Sequence, residues 1–422
     1  MYKSYLPSFV SFSVIIVAIY SVQPYTTFLI GNTTFWWIIG GAILLAFEMA
    51  RRQIVEEGNG KDMIFVYLYL FWNIFNIIRG GFIAESYWDW KGLIAVAMAL
   101  LLPITAFAAT DVLILQNILR VYVWGALPLF PLLAFVIATD AYGLYLVPIS
   151  FLMLFFPVMT VRWKCILAAI TLLVLFIDLG ARSNVIKFAV PIMLMTVYYI
   201  RFFLNILPLE TLRKIFFILP ILLFSLAVGG IFNVFKMDDY ISGEFVTSKD
   251  EEEQSLKADT RTLLYEEVLK TAQKYDSWWI GRSPARGNET EAFASLSEIS
   301  GREERLGNEV AILNIFTWTG IVGVVLYFLI FYKASYIALN DSNNVFSKII
   351  GIFIAFRWLY AWIEDINGFT LTNFFLWFMI GLSFSPTFRR MSNRGVKYWV
   401  LGIFYKKHFQ FVQHVLSLRK QK

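Results

Sequence analysis

Arg305-Leu306-Gly307-Asn308-Glu309, followed directly by Val310-Ala311-Ile312-Leu313-Asn314-Ile315-Phe316-Thr317-Trp318-Thr319-Gly320-Ile321-Val322-Gly323, is where a long polar segment ends and an apolar run begins. The run continues without a charge to Tyr332. A hydrocarbon core about 30 Å thick needs roughly 20 apolar residues of helix. The run has that length and lacks the alternation of a barrel strand, so it reads as a membrane-spanning helix.

The same pattern recurs along the chain. The 422 residues are 59% hydrophobic and 18% aromatic, with a mean hydropathy of +0.65. Soluble domains carry about 45–50% apolar residues, so the excess indicates a membrane protein. Spans are expected at about 8–30, 33–49, 63–78, 92–110, 120–139, 145–161, 165–180, 187–207, 214–234, 310–332, 347–364 and 371–388. The expected fold is an all-α polytopic membrane protein with about 12 transmembrane helices and one large external loop between helices 9 and 10. Its regions are a nine-helix part (1–234), the loop (235–309), a three-helix part (310–390) and a basic amphipathic cytoplasmic tail (391–422).

Lys and Arg in the short loops set the orientation. With the N-terminus inside, the inner face carries Arg51, Arg52, Lys61, Arg120, Arg162, Lys164, Arg201, Arg213, Lys214, Lys333, Lys348 and the basic tail, while the outer short loops hold only Arg79, Lys91, Arg182 and Lys187. Both termini are then cytoplasmic and the loop is external. The segment 236–309 has 17 acidic against 10 basic residues, which leaves the membrane body strongly basic. The inside bias and attraction to anionic membrane lipids account for that charge without a nucleic acid. Cys165 is the sole cysteine, and His408 and His414 both lie in the tail. A disulfide within the chain, a cysteine metal cluster and a histidine site outside the tail are therefore excluded. No metal or cofactor is expected.

Within the loop, the acidic run 250–253 reads as solvated chain, because adjacent carboxylates repel and do not converge on an ion. Asp259 can cap a helix carrying Leu263, Leu264, Val268, Leu269 and Ala272 at helical spacing. Arg261 sits in its first turn, where a cation opposes the helix dipole, so ligand binding and plain exposure are both open. Trp278-Trp279-Ile280-Gly281 suits the membrane interface or a sugar face. Arg282 and Arg286 lie in a turn, and guanidinium forks suit phosphate. Glu309 stands at the mouth of the tenth span, where partial desolvation raises a carboxyl toward acid–base work; a dipole-favoured helix start is the alternative. Arg182 and Arg79 stand at external span ends. Arg357 lies inside the eleventh span, at seven residues from Glu364 and so on one helix face with it, and Asp178 lies in the seventh. Charges in a membrane are functional candidates or internal ion pairs.

Nine spans, a large external loop and three more spans resemble the O-antigen polymerase and O-antigen ligase superfamily of bacterial envelope glycosyltransferases. The resemblance is carried by Gly180-Ala181-Arg182-Ser183, by Asp259-Thr260-Arg261 with Trp278-Trp279-Ile280-Gly281, and by Glu309-Val310-Ala311-Ile312-Leu313 through Trp318-Thr319-Gly320-Ile321-Val322-Gly323. Ligases of this superfamily carry a histidine near the loop's end; Asn308 or Glu309 stands there in this chain, which points to a polymerase.

The resemblance implies transfer of a glycan from undecaprenyl pyrophosphate to a sugar hydroxyl outside the inner membrane of a bacterium. Arg182 and Arg261, with Arg282, Arg286, Arg357 and Trp279, would bind pyrophosphate or glycan, and Glu309 would activate the acceptor. The implied partners are the lipid-linked oligosaccharide, membrane lipids and a chain-length regulator protein. A flippase or exporter of the same lipid-linked units is the first rival, and a non-catalytic envelope scaffold the second.

Overall fold

A computed structural model describes residues 5–27, 31–54, 59–177, 182–199, 205–229, 260–290 and 304–420. It is an all-α membrane protein with one short two-stranded ribbon among the described residues. In chain order the principal helices are α1 (Tyr5–Val22), α2 (Thr33–Ile54), α3 (Ile64–Ile83), α4 (Tyr87–Leu101), α5 (Thr105–Thr110), α6 (Val112–Val121), α7 (Tyr142–Met153), α8 (Val161–Ile177), α9 (Arg182–Tyr199) and α10 (Ile206–Val228). After the polar segment's helix α11 (Thr260–Lys274) come α12 (Ala311–Asn340), α13 (Val345–Tyr360), α14 (Leu371–Phe384), α15 (Asn393–Phe404) and α16 (Lys406–Lys420). Helix therefore covers much of each expected apolar run. Among the described residues, six segments are long and apolar enough to cross a membrane: Ser8–Tyr25, Thr33–Arg52, Ile64–Ile83, Tyr87–Thr110, Val112–Leu133 and Ala311–Asn340.

Helix α12 is broken. Gly320 has φ +70° and ψ −171°, far outside helical values. A break frees backbone groups that hydrocarbon cannot satisfy, so it persists only where protein supplies partners. The turn 278–282 supplies them. The amides of Ile321 and Val322 donate to the carbonyls of Trp278 (2.8 Å) and Trp279 (3.4 Å), and the amide of Arg282 donates to the Thr317 carbonyl (2.7 Å). From α3, Trp72 Nε1 donates to the Thr319 carbonyl at 2.9 Å. The two backbones touch at two glycines. A Cβ on Gly281 would sit 2.6 Å from the amide nitrogens of Thr319 and Gly320, and one on Gly320 would collide with the Trp279 carbonyl. Beyond the break, 321–340 spans about 30 Å, the thickness of a hydrocarbon core. The sequence places this crossing at 310–332; the helix continues to Asn340 because nothing in 333–340 breaks it.

At the opposite end of the bundle, Arg389 ties three turns together. It donates to Asp341 Oδ2 at 2.7 Å and to Asp62 Oδ2 at 3.3 Å, and Lys333 reaches Asp62 at 3.9 Å. Asn344 Nδ2 donates to the Phe388 carbonyl at 2.9 Å. The amphipathic tail forms two helices, α15 and α16. Its first half, α15, is packed into the protein: Trp399, Val400 and Ile403 are buried, Trp399 Nε1 donates to the Val112 carbonyl at 2.8 Å, and Arg120 donates to the Gly402 carbonyl at 2.6 Å. An apolar helix face finds denser contact on α6 than in a headgroup layer. The other face of α15 exposes Arg394, Lys397 and Tyr398, and α16 presents Lys406, Lys407 and Phe411 outward.

Gly281→Ala and Gly320→Ala each force a side chain into a positive-φ site against backbone, a strain of about 1–3 kcal/mol before the collision is counted. Either variant is expected to melt well below the wild type in detergent, whereas Gly41→Ala, with open space at its Cβ, should melt with the wild type.

Candidate functional site

The polar segment builds a platform on the end of the bundle where α12 begins. Helix α11 turns Leu264, Tyr265, Val268 and Ala272 inward, a stripe at helical spacing. Leu264, Tyr265, Val268, Val310 and Leu313 form one cluster, with Phe224 and Trp362 against it, and Tyr265 Oη donates to the Trp362 carbonyl at 2.8 Å. Leu263, expected on the buried face, is half exposed. Strand β1 (Asn288–Glu289) pairs antiparallel with β2 (Glu304–Arg305). Thr290 Oγ1 donates to Glu267 at 3.0 Å, and Lys274 Nζ to Glu289 at 2.8 Å, so the ribbon is fastened to α11.

Arg282 and Arg286 are brought together on one carboxylate. Arg282 Nη2 lies 3.2 Å from Glu304 Oε1, and Arg286 forms a two-pronged pair with the same group. Arg282 also stacks on the Tyr275 ring, 3.7 Å from its centroid. Burial raises the Glu304 carboxyl, but hydrogen bonding from Arg286 and the charges of both arginines outweigh it and hold it below the usual range. Arg79, from the end of α3, donates to the carbonyls of Ile280 (2.6 Å) and Gly281 (3.0 Å). It clamps the turn that fills the helix break. Trp279 in that turn is 68% exposed, and Phe82 and Trp90 are exposed as well.

Glu309 stands just before α12, with its side chain 57% exposed and 3.5 Å from Arg305. The first amides of α12 are capped by another turn: Ala311 donates to the Glu364 carbonyl (3.2 Å) and Ile312 to that of Ala361 (3.1 Å). Asn308, Asn314 and Asn288 interlock below, with Asn314 Nδ2 on the Asn308 carbonyl at 2.8 Å and Asn308 Nδ2 on Asn288 Oδ1 at 3.0 Å. Asp365, in the 361–370 turn, accepts from the Asn367 amide at 2.9 Å. Asp365 is exposed; protein packed around its carboxyl raises it, and hydrogen bonds from Asn367 and Asn314 oppose the rise.

Arg357 is 3% exposed near the end of α13. The helix stops at Tyr360, so Glu364 lies in the following turn and does not share a helix face with Arg357, as the seven-residue spacing implies it should. Lys187, passed over in the sequence as a loop cation, lines the same cavity as Arg357; its position inside an apolar helix was the available signal. Arg182 opens α9 and Arg261 is the second residue of α11; their side chains lie outside what the structure describes. Asp178, Gly180, Ala181, Asp259 and the run 250–253 lie outside the described residues altogether. No family model matches the chain, and no curated protein matches it.

Removing the Glu304 charge leaves two arginines without their acceptor, at a cost of about 2 kcal/mol for the lost charged hydrogen bonds. Glu304→Gln is expected to speed hydrogen exchange in 278–290. Because the folded-state pKa is depressed, the wild-type protection should hold above the ordinary glutamate range and be lost as pH falls below it, through the depressed value; E304Q should lack that acid transition.

Proposed function

We propose that the protein is a polymerase joining undecaprenyl-pyrophosphate-linked oligosaccharide repeat units into a surface polysaccharide, by metal-independent glycosyl transfer at the outer face of a bacterial inner membrane. In this reading the chain crosses twelve times, both termini are cytoplasmic and the α11 platform is periplasmic. The observation that carries the reading is the seating of that platform in the break of α12. A substrate whose lipid tail stays in the bilayer presents its pyrophosphate at the membrane surface and its glycan beyond it. An enzyme for it needs polar groups held rigidly at that depth, and a turn hydrogen-bonded into a membrane helix holds them. A lipid flippase has no such requirement.

In the transfer, the acceptor hydroxyl attacks the anomeric carbon, the carbon–oxygen bond to pyrophosphate breaks, and the pyrophosphate leaves with the bonding electrons. Arg182 and Arg261 hold the leaving group. Arg282 and Arg286, which share one carboxylate and so keep a net positive charge, assist at the platform, and cations placed where charge develops stabilise the transition state. Trp279 offers an exposed ring to the glycan. The proton of the acceptor goes to a carboxylate. Glu309, just before α12, and Asp365, in the turn hydrogen-bonded to the start of that helix, are the two carboxylates placed for that role.

Purified protein in liposomes with lipid-linked repeat units should elongate the glycan; transbilayer movement without elongation would make it a flippase instead. Arg182→Ala and Arg261→Ala are each expected to collapse the chain-length ladder, and unchanged ladders in both would defeat the assignment. A base must be unprotonated, so kcat/KM should fall as pH drops through the range in which the carboxylate takes up its proton. Of Glu309→Gln and Asp365→Asn, the one that removes the base should lower activity about 100-fold or more, and the other should stay near wild type.

A further inference from the structure

Helices α7, α9, α13 and α14 enclose a cavity of about 20 Å³ whose polar lining is Ser150, Lys187, Arg357 and Thr372. The rest of the lining is apolar, and among the described residues no carboxylate belongs to it. Arg357 is almost fully buried, yet among the described residues its Nε and Nη2 have no hydrogen-bond partner, and neither has Thr372 Oγ1. The guanidinium instead faces the Tyr360 ring, 5.1 Å from its centroid. Buried charged donors left without acceptors are costly, and a second cation in the same cavity adds repulsion. Glu364 and Asp365 act on this pair only through space, from the turn above. An anion in the cavity would remove both penalties at once.

The position is suited to a headgroup at the outer surface. Arg357 lies three residues before the end of α13, Thr372 is the second residue of α14, and Lys187 is five residues past the start of α9. Each is within about 8 Å of an external helix end at 1.5 Å per residue. The volume exceeds the 10–15 Å³ that one water needs and falls far short of a sugar ring. It accommodates the oxygen end of a phosphoryl group.

We propose that Lys187 and Arg357, with Ser150 and Thr372, form a phosphoryl-binding pocket within the helical body. As an anion site it stands by itself; as the seat of the carrier's pyrophosphate it rests on the polymerase reading. Hydroxyls and a guanidinium fork direct hydrogen bonds to phosphoryl oxygens, and the lysine supplies a point charge.

The test is thermal unfolding of the purified full chain in detergent, titrated with inorganic pyrophosphate at constant ionic strength. A saturable rise in Tm is expected for the wild type. K187Q and R357Q should each raise the apparent dissociation constant at least tenfold, and K187R should retain binding. If R357Q does not fold, the pair K187Q and K187R still decides the matter. Farnesyl pyrophosphate binding more tightly than inorganic pyrophosphate would support a lipid-borne ligand, and equal affinities would support recognition of the phosphoryl group alone. Wild-type affinity in both K187Q and R357Q overturns the pocket, as does saturation by chloride with no further effect of pyrophosphate. Glycan elongation in liposomes reads the polymerase separately: elongation by K187Q at the wild-type rate overturns the pocket as the carrier's seat and spares the polymerase, while pyrophosphate binding without elongation by the wild type overturns the polymerase and spares the anion site.

Discussion

The hydrogen bonds between the turn 278–282 and the break at Gly320 are the constraint on which the platform half of the protein depends. A membrane helix can open only where its freed amides and carbonyls find partners. Here the partners come from a polar segment nearly forty residues earlier in the chain, so the break and the platform require one another. The close approach needs glycine on both sides, because a Cβ on either backbone would occupy the other's space. Trp72 and Arg79, both on α3, brace the junction from the membrane body.

From that junction the platform acquires a fixed height. Helix α11 lies on the start of α12 and on Trp362, the β-ribbon is fastened to α11, and Glu304 gathers Arg282 and Arg286 beside Tyr275. The start of α12 is itself pinned by carbonyls of the 361–370 turn. The α13–α14 connection thus meets the platform at one point, with Asp365 there and Arg357 a turn below. Charge is arranged in two ways across this region. The platform arginines are neutralised in part by a neighbouring carboxylate, while Arg357 keeps donors that no group among the described residues accepts from.

Much of this was legible in the sequence, and the misses have physical causes. Apolar runs of about 20 residues located the helices because bilayer thickness imposes that length. The helix at α11 followed from its spacing. The two stretches quoted for the family resemblance, Trp278-Trp279-Ile280-Gly281 and Trp318-Thr319-Gly320, turn out to touch, which no periodicity could indicate. Glu309 was placed at the right helix end, but its exposure depends on neighbours far away in sequence. The tail's amphipathic pattern was read correctly as a pattern, and its apolar side meets α6 instead of lipid.

The sequence by itself determined that this is a helical membrane protein, where its helices lie, and that a single polar segment interrupts them, because each follows from local composition and the length needed to cross a bilayer. Tertiary structure alone decided how the segment docks, which arginines are paired, and that Lys187 and Arg357 share one cavity. Those outcomes depend on which helix ends lie side by side, and hydrogen bonding and charge compensation act over ångströms of space regardless of distance along the chain.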